Sequence, residues 1–248
     1  MNLILLHPEE LGADRTAHLS DARARHLRTV LRVTPGSEVR VGIVDGAAGV
    51  GTVIEIAGET IALRCAFEAT APPRPQVDLM LALPRPKVMR RLWAQVAALG
   101  VGRIILTNAE RVERNYFDTH VLAPGVYRPL LIEGLQQARD TRVPTVSIHR
   151  QFKVLVEDEL DGLFPSGVRL VAHVSEGRSV AEAIGQRGGG RVLLAVGPEG
   201  GWNEFELLLL EAHGFQGVGL GRRTLRSDTA CVALLALVHD ALLSFPQG

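Results

Sequence analysis

The chain has 248 residues, 46% of them hydrophobic and 22% charged, a globular composition that excludes wholesale disorder and leaves room for two domains. Its 27 Lys+Arg balance 27 Asp+Glu, so no overall basic field marks a nucleic-acid partner and any attraction for phosphate must come from local patches. The longest apolar run, 231–238, is stopped by His239-Asp240, short of the ~18 residues a spanning helix needs. Residues 1–7 lack a basic leader and the apolar length of a signal peptide, so a soluble, cytoplasmic protein without a membrane partner is expected.

In the first part of the chain the pattern predicts a helix over about 20–30, with Ala24, Leu27 and Leu31 on one side. Arg23, Arg25, His26, Arg28 and Arg32 lie on its other face. Segments of β character follow at 38–44, 51–56 and 60–67, divided by Asp45-Gly46 and Ala57-Gly58-Glu59. Strands this short and close suggest a small β-barrel. Ala69-Thr-Ala-Pro-Pro-Arg-Pro75 then marks a boundary. It divides the chain into expected domains 1–72, with 7 cations against 9 acids, and 73–248, with 20 against 18.

Beyond the boundary, strands alternate with helices. Strands are predicted at 77–83, 103–107, 169–174, 191–196 and 217–220. The helix after Pro86 places Met89, Leu92, Trp93, Val96 and Leu99 on one face and stops at Gly100. A second helix is expected over about 125–138. A third is capped by Asn203 with Glu206 in the capping-box position and ends at Gly214. The last runs over about 227–244, with Val232, Leu235 and Val238 on a face that suits either a partner or the domain's own core. The fold class is therefore α/β, with a mostly parallel sheet covered on both sides.

Cys65 and Cys231 are too few for a disulfide framework, and the eight histidines form no His-x3-His pair, so no bound metal is expected. Only Lys87 and Lys153 are lysines. Beyond the helix at 20–30, basic patches gather at Arg85, Lys87, Arg90 and Arg91, and at Arg111 and Arg114. Two loops hold the chemistry: Gly197-Pro-Glu-Gly-Gly201 after one predicted strand, and Gly219–Ala230 between strand and helix. Ligands of open α/β sheets bind outside the carboxyl ends of the strands, and glycines there let a ligand approach bare backbone. The chain has no Gly-Lys pair for a P-loop, its Gly219-Leu-Gly-Arg-Arg-Thr224 misses the last glycine of a dinucleotide fingerprint, and no Gly-x-Ser-x-Gly elbow occurs.

At these residues the sequence resembles the SPOUT methyltransferases, and within them the RsmE branch, the 16S ribosomal RNA (uracil-N3)-methyltransferases. Gly197–Gly201 and Leu220-Gly-Arg-Arg-Thr-Leu-Arg-Ser-Asp-Thr-Ala230 carry the likeness. It extends to His26-Leu-Arg-Thr-Val-Leu-Arg32, to Gln95-Val-Ala-Ala-Leu-Gly-Val101, and loosely to Glu110-Arg111 and Gln136-Gln-Ala-Arg139. Ala98 and Asp228 stand where many relatives carry glutamate, and Glu133-Gly-Leu replaces the usual Glu-Ala.

The resemblance implies a PUA-like RNA-binding β-barrel over 1–72, followed over 73–248 by an α/β domain with a trefoil knot that binds S-adenosylmethionine and pairs as a homodimer. The cofactor would meet Gly197, Pro198, Gly200 and Gly201 on one loop. On the other it would meet Leu220, Gly221, Leu225, Arg226, Thr229 and Ala230. Arg226 is the expected electrostatic catalyst, with Asp228 or Glu199 as proton acceptor. RNA contacts are expected from Arg25, His26, Arg28 and Arg32, and from Arg85, Lys87, Arg111 and Arg114. The expected activity is methylation of a uridine base at N3 in 16S ribosomal RNA of the 30S subunit. Ribose 2′-O methylation by the same fold, or a non-catalytic RNA-binding or assembly module, are the alternatives.

Overall fold

The computed structural model describes residues 2–173, 177–186, 189–221 and 223–245. They form two compact units, Met1–Arg74 with Leu131–Val143, and Pro75–Leu130 with Pro144–Gly248. The neighbouring chemistry of 131–143 is local to the first unit. Thr141 Oγ1 donates to the Gly46 carbonyl at 2.6 Å, Arg142 donates to the carbonyls of Pro72 and Asp45, and Asn2 Nδ2 donates to the Gln137 carbonyl. The sequence-based division assigns these residues to the second domain; the long helix that leads into them gives no compositional sign of the change.

In the first unit, strands β1 (Ile4–Leu6), β2 (Thr16–Leu19), β3 (Glu38–Ile43), β4 (Ala48–Ala57) and β5 (Thr60–Phe67) form one sheet in the order β1-β3-β4-β5-β2. β1 runs parallel to β3, and the other pairs are antiparallel. The two edge strands share a core: Ile4 and Leu6 join Ala17 and Leu19, with Ala24 and Leu27 of helix α1 (Ala22–Thr29) packed among them. The sheet is thus curled around α1. Gly49 is required where β4 meets β5, because a Cβ there would lie 2.0 Å from the Ala66 carbonyl oxygen. Leu31, expected on the buried side of the helix, is instead 50% exposed. The helix ends at Thr29, and Arg32 takes a left-handed φ of 51°, so the helical face does not continue to Leu31.

The second unit holds a six-stranded sheet, β6 (Val77–Ala82), β7 (Val101–Thr107), β8 (Thr145–His149), β9 (Val168–Ala172), β10 (Val192–Val196) and β11 (Phe215–Val218), in the order β11-β9-β10-β6-β7-β8. Every pairing is parallel. β6 and β10, adjacent at the centre, are buried along their whole length. This matches their largely apolar sequence, as expected for strands covered on both faces; the exception is Asp78 of β6, buried and paired with Arg191 at 2.7 Å. The unit's helices of more than five residues are α2 (Pro86–Ala98), the first half of α3 (Pro124–Ala138), which passes into the first unit at Leu131, α4 (Val180–Gly185), α5 (Glu204–Ala212) and α6 (Ser227–Leu243). The strand predicted over 169–174 ends at Ala172, and Val174 lies outside the described residues. Among the described residues no helix is long and apolar enough to cross a membrane.

α2 buries Met89, Leu92, Trp93 and Val96 as its periodicity requires. On α6, Leu235 and Val238 are fully buried inside the unit, beside Cys231 and Leu234. Leu235 and Val238 of the predicted face serve the domain's own core, where the helix lies against the central strands β10 and β6, while Val232 of the same face is half-buried.

α6 also carries His239, whose Nε2 is buried without a partner. Burial pushes its pKa below 6.5, and a hydrogen bond with the Leu99 backbone only partly offsets this. The unfolded chain therefore takes up this proton first as pH falls. Stability should decline from about pH 6.5 downward through the lower folded-state value, and be unaffected above it. His239→Leu should flatten that acid limb in urea unfolding measured between pH 7.5 and pH 5.

Candidate functional site

The carboxyl ends of β9, β10 and β11 are neighbours in the sheet, so the segments leaving them converge. They line a cavity of about 180 Å³ that is partly open to solvent. The first glycine loop supplies Gly197, Pro198, Glu199, Gly200 and Gly201. The second supplies Leu220, Gly221 and Leu225, and the start of α6 supplies Ala230. Two loops separated in sequence by α5 and β11 thus share one space.

Each glycine has its own reason. A Cβ on Gly197 would press within 3.1 Å of the Trp202 indole, and one on Gly200 would lie 2.8 Å from Arg111 Cδ. Gly201 and Gly221 adopt positive φ of 73° and 89°, conformations that residues with a Cβ rarely reach. The Gly201 N–H donates to the Pro198 carbonyl at 2.8 Å, closing the first loop into a turn. α5 follows at once, its capping box complete: Asn203 Oδ1 accepts from the Glu206 N–H and Glu206 Oε2 from the Asn203 N–H, both at 2.8 Å. Glu206, 3% exposed, also accepts the Glu110 N–H at 2.7 Å, tying the loop after β7 to the same helix.

Three predicted residues fall off the cavity lining: Arg226, Asp228 and Thr229. α6 begins at Ser227, and positions 227, 230 and 234 share the face that meets the cavity, the helical spacing of one side. Asp228 and Thr229 point elsewhere, and Ser227, not anticipated from sequence, takes the place expected for Thr229. Arg226 is the extended N-cap residue, exposed between two lining residues, and its side chain has no hydrogen bond or ion pair among the described residues. Asp228 Oδ2 is paired with Arg91 at 2.9 Å and its Oδ1 accepts the Thr229 N–H at 2.9 Å. Glu199 is exposed, and its Oε1 meets only the Arg85 backbone N–H, at 3.4 Å.

Other lining residues were not singled out in sequence. His173 stands at the end of β9 with its N–H donating to the Val218 carbonyl. Trp202 is 4% exposed, stacks on Phe152 at 5.4 Å, and has a buried Nε1 with no partner. Their positions just past strand ends are the available signal.

The basic candidates differ in what occupies them. In the first unit, Arg23 is consumed by Glu10, Asp21 and the Leu5 carbonyl, and Arg28 donates to the Gly58 carbonyl at 2.7 Å. Arg25 and Arg32 are exposed and His26 is half-buried. In the second unit, Arg85 and Lys87 are exposed at the start of α2. Arg111 donates to the Gly200 carbonyl, while Arg114 is exposed at the head of a short 3-10 turn. Among the described residues no three His, Cys, Asp or Glu gather as a metal site.

Comparison with known proteins agrees with this architecture. Residues 71–239 match the family described as RNA methyltransferase domain, and residues 19–64 match the RNA methyltransferase PUA domain. A parallel sheet with ligand loops at its carboxyl edge, joined to a PUA-like barrel, therefore defines the class as RNA methyltransferase. The chain is 31% identical to the ribosomal RNA small subunit methyltransferase E of Treponema pallidum, over 96% of this chain and 90% of that one. A crystal structure of the Neisseria gonorrhoeae ribosomal RNA small subunit methyltransferase E bound to S-adenosyl methionine is similar, with TM-score 0.75, 25% identity and 97% of each chain covered. A probable rRNA-methyltransferase from Porphyromonas gingivalis shares the fold, with TM-score 0.74 at 20% identity. The chain belongs to the ribosomal RNA small subunit methyltransferase E family.

Proposed function

We propose that this enzyme transfers a methyl group from S-adenosylmethionine to N3 of a uridine in 16S ribosomal RNA, acting in the cytoplasm on the small ribosomal subunit as a homodimer. In this reading the unit of 1–74 with 131–143 grips RNA, and the unit of 75–130 with 144–248 forms a knotted domain that holds the cofactor. The observation that carries it is the convergence of both glycine loops on one cavity at the carboxyl edge of β9, β10 and β11.

The residues suit the cofactor. Leu220 and Leu225 offer apolar surfaces for an adenine, Gly197 and Gly200 expose bare backbone, and the unpartnered Trp202 Nε1 offers a donor. Among the described residues nothing takes up the N–H of Leu220 or Leu225, which leaves donors for a base edge. When bound, the cofactor supplies an already activated sulfonium methyl, so the protein's work is alignment and charge management.

Uracil N3 is protonated near neutral pH and must give up its proton as the methyl bond forms. Glu199, exposed on the cavity wall and held by one long contact, is the better proton acceptor. Asp228 is already engaged by Arg91 and the Thr229 N–H, so it orders the start of α6 instead. Arg226, unpaired at the cavity's edge, stabilises the negative charge that develops on the uracil oxygens. Arg25, His26 and Arg32, with Arg85, Lys87 and Arg114, hold RNA phosphates.

Purified enzyme given unmodified 30S subunits and radiolabelled donor should place label on a uracil of 16S ribosomal RNA, identified as N3-methyluridine by mass spectrometry of the nucleosides. Label on ribose, or in transfer RNA alone, overturns the assignment. Failure of titration calorimetry to detect S-adenosylmethionine binding overturns the enzyme reading as a whole.

A further inference from the structure

Arg111 is an exposed arginine in a loop of an RNA-modifying enzyme, and the simplest use for it is a phosphate. Its surroundings point elsewhere. The guanidinium N–H donates to the carbonyl of Gly200, in the middle of the first glycine loop. The stem lies over that same residue: a Cβ built on Gly200 would meet Arg111 Cδ at 2.8 Å, Cβ at 3.3 Å and Cγ at 3.5 Å. The glycine is therefore needed to let the arginine lie down, and the arginine covers the glycine's open side.

The peptide linking Gly200 to Gly201 is planar, so its C=O and N–H point in opposite directions. Arg111 holds the oxygen, and the Pro198 carbonyl receives the Gly201 N–H at 2.8 Å. That peptide plane is pinned at both ends, at the left-handed residue where the loop turns. One residue away, the Glu110 N–H donates to the buried carboxylate of Glu206. The loop after β7 is thus stitched to segment 197–206 twice, and the second stitch fixes where Arg111 starts.

We propose that Arg111 is a positioning residue for the cofactor loop: it sets the Gly200–Gly201 peptide, and so shapes the cavity wall, rather than contacting RNA. The inference rests on the cofactor reading of that loop. A phosphate-binding arginine would keep its guanidinium fork free for the phosphate oxygens, whereas this one has committed an N–H to the Gly200 carbonyl and packed its stem on the loop.

The test separates these roles. Arg111→Ala should weaken S-adenosylmethionine binding by about tenfold in titration calorimetry without RNA, the effect of one charge-assisted hydrogen bond. Amides of 199–203 should exchange faster in the cofactor-free protein, a readout that does not depend on the cofactor reading. Affinity for 30S subunits, and its salt dependence, should not change. Arg111→Lys, which keeps the charge and most of the stem, should restore loop protection only in part. Gly200→Ala should weaken cofactor binding in the otherwise unaltered protein and add little in the Arg111→Ala background, since the stem it displaces is gone. Unchanged loop exchange and cofactor affinity, together with weaker subunit binding and a salt slope reduced by about one, would overturn the proposal. If the unaltered enzyme binds no S-adenosylmethionine, the cofactor reading fails by itself, and the exchange data still decide what Arg111 does to the loop.

Discussion

Arg226→Ala should lower the methylation rate by ~10²–10³-fold, the usual loss when a preorganised donor to a developing anion is removed. Affinity for S-adenosylmethionine should change by less than about threefold, because the interaction is strongest in the transition state. The basis is positional. Leu225 and Ser227 line the cavity while Arg226 between them does not, and its extended backbone leaves the guanidinium unpaired among the described residues. Steady-state kinetics on 30S subunits with a parallel calorimetric titration checks both halves. A large loss of cofactor affinity at unchanged rate would move Arg226 from the reacting base to the cofactor.

Glu206→Ala carries the largest expected loss of stability, about 2–4 kcal/mol. It removes two short hydrogen bonds from a buried carboxylate and leaves both partly buried backbone N–H donors without that acceptor. One of these bonds is half of the capping box, worth ~1 kcal/mol by itself. Glu206→Gln keeps a single acceptor oxygen and should recover about half of the loss, as glutamine also serves in this box. Urea unfolding of the three proteins at pH 7 measures the series. Equal stability of the alanine and unaltered forms would show that neither donor depends on Glu206.

Much of this molecule could be read from its residues, and the parts that could not share a cause. The capping box Asn203–Glu206 and the α2 face are written in periodicities of three and four, which local sequence displays directly. The apolar runs of β10 and, after Asp78, of β6 were equally plain, since central strands buried on both faces need no alternation. β1 and β2 are three and four residues long, too short for any period to register. β8 follows Pro144 as a half-exposed edge strand and looks like loop. The helical stretch 152–163 is interrupted by a π-turn at Leu155–Glu159, which breaks the spacing that would announce it. At the site the glycines were legible because backbone geometry restricts residue type. The partners Arg91 of Asp228, Arg111 of Gly200 and Glu206 of Glu110 were not, because a hydrogen bond across 89 or more residues leaves no mark on either local sequence.

The strand order has a kinetic corollary. At the middle of the large sheet Val77 lies beside Val192, so β6 stays half-paired until β10 has been synthesised. Assembly of this unit is therefore a late, non-local event, slow by the usual relation between contact separation and rate. Until then the nascent chain carries an unsatisfied, mostly apolar β6 edge that it must keep from sticking to its neighbours.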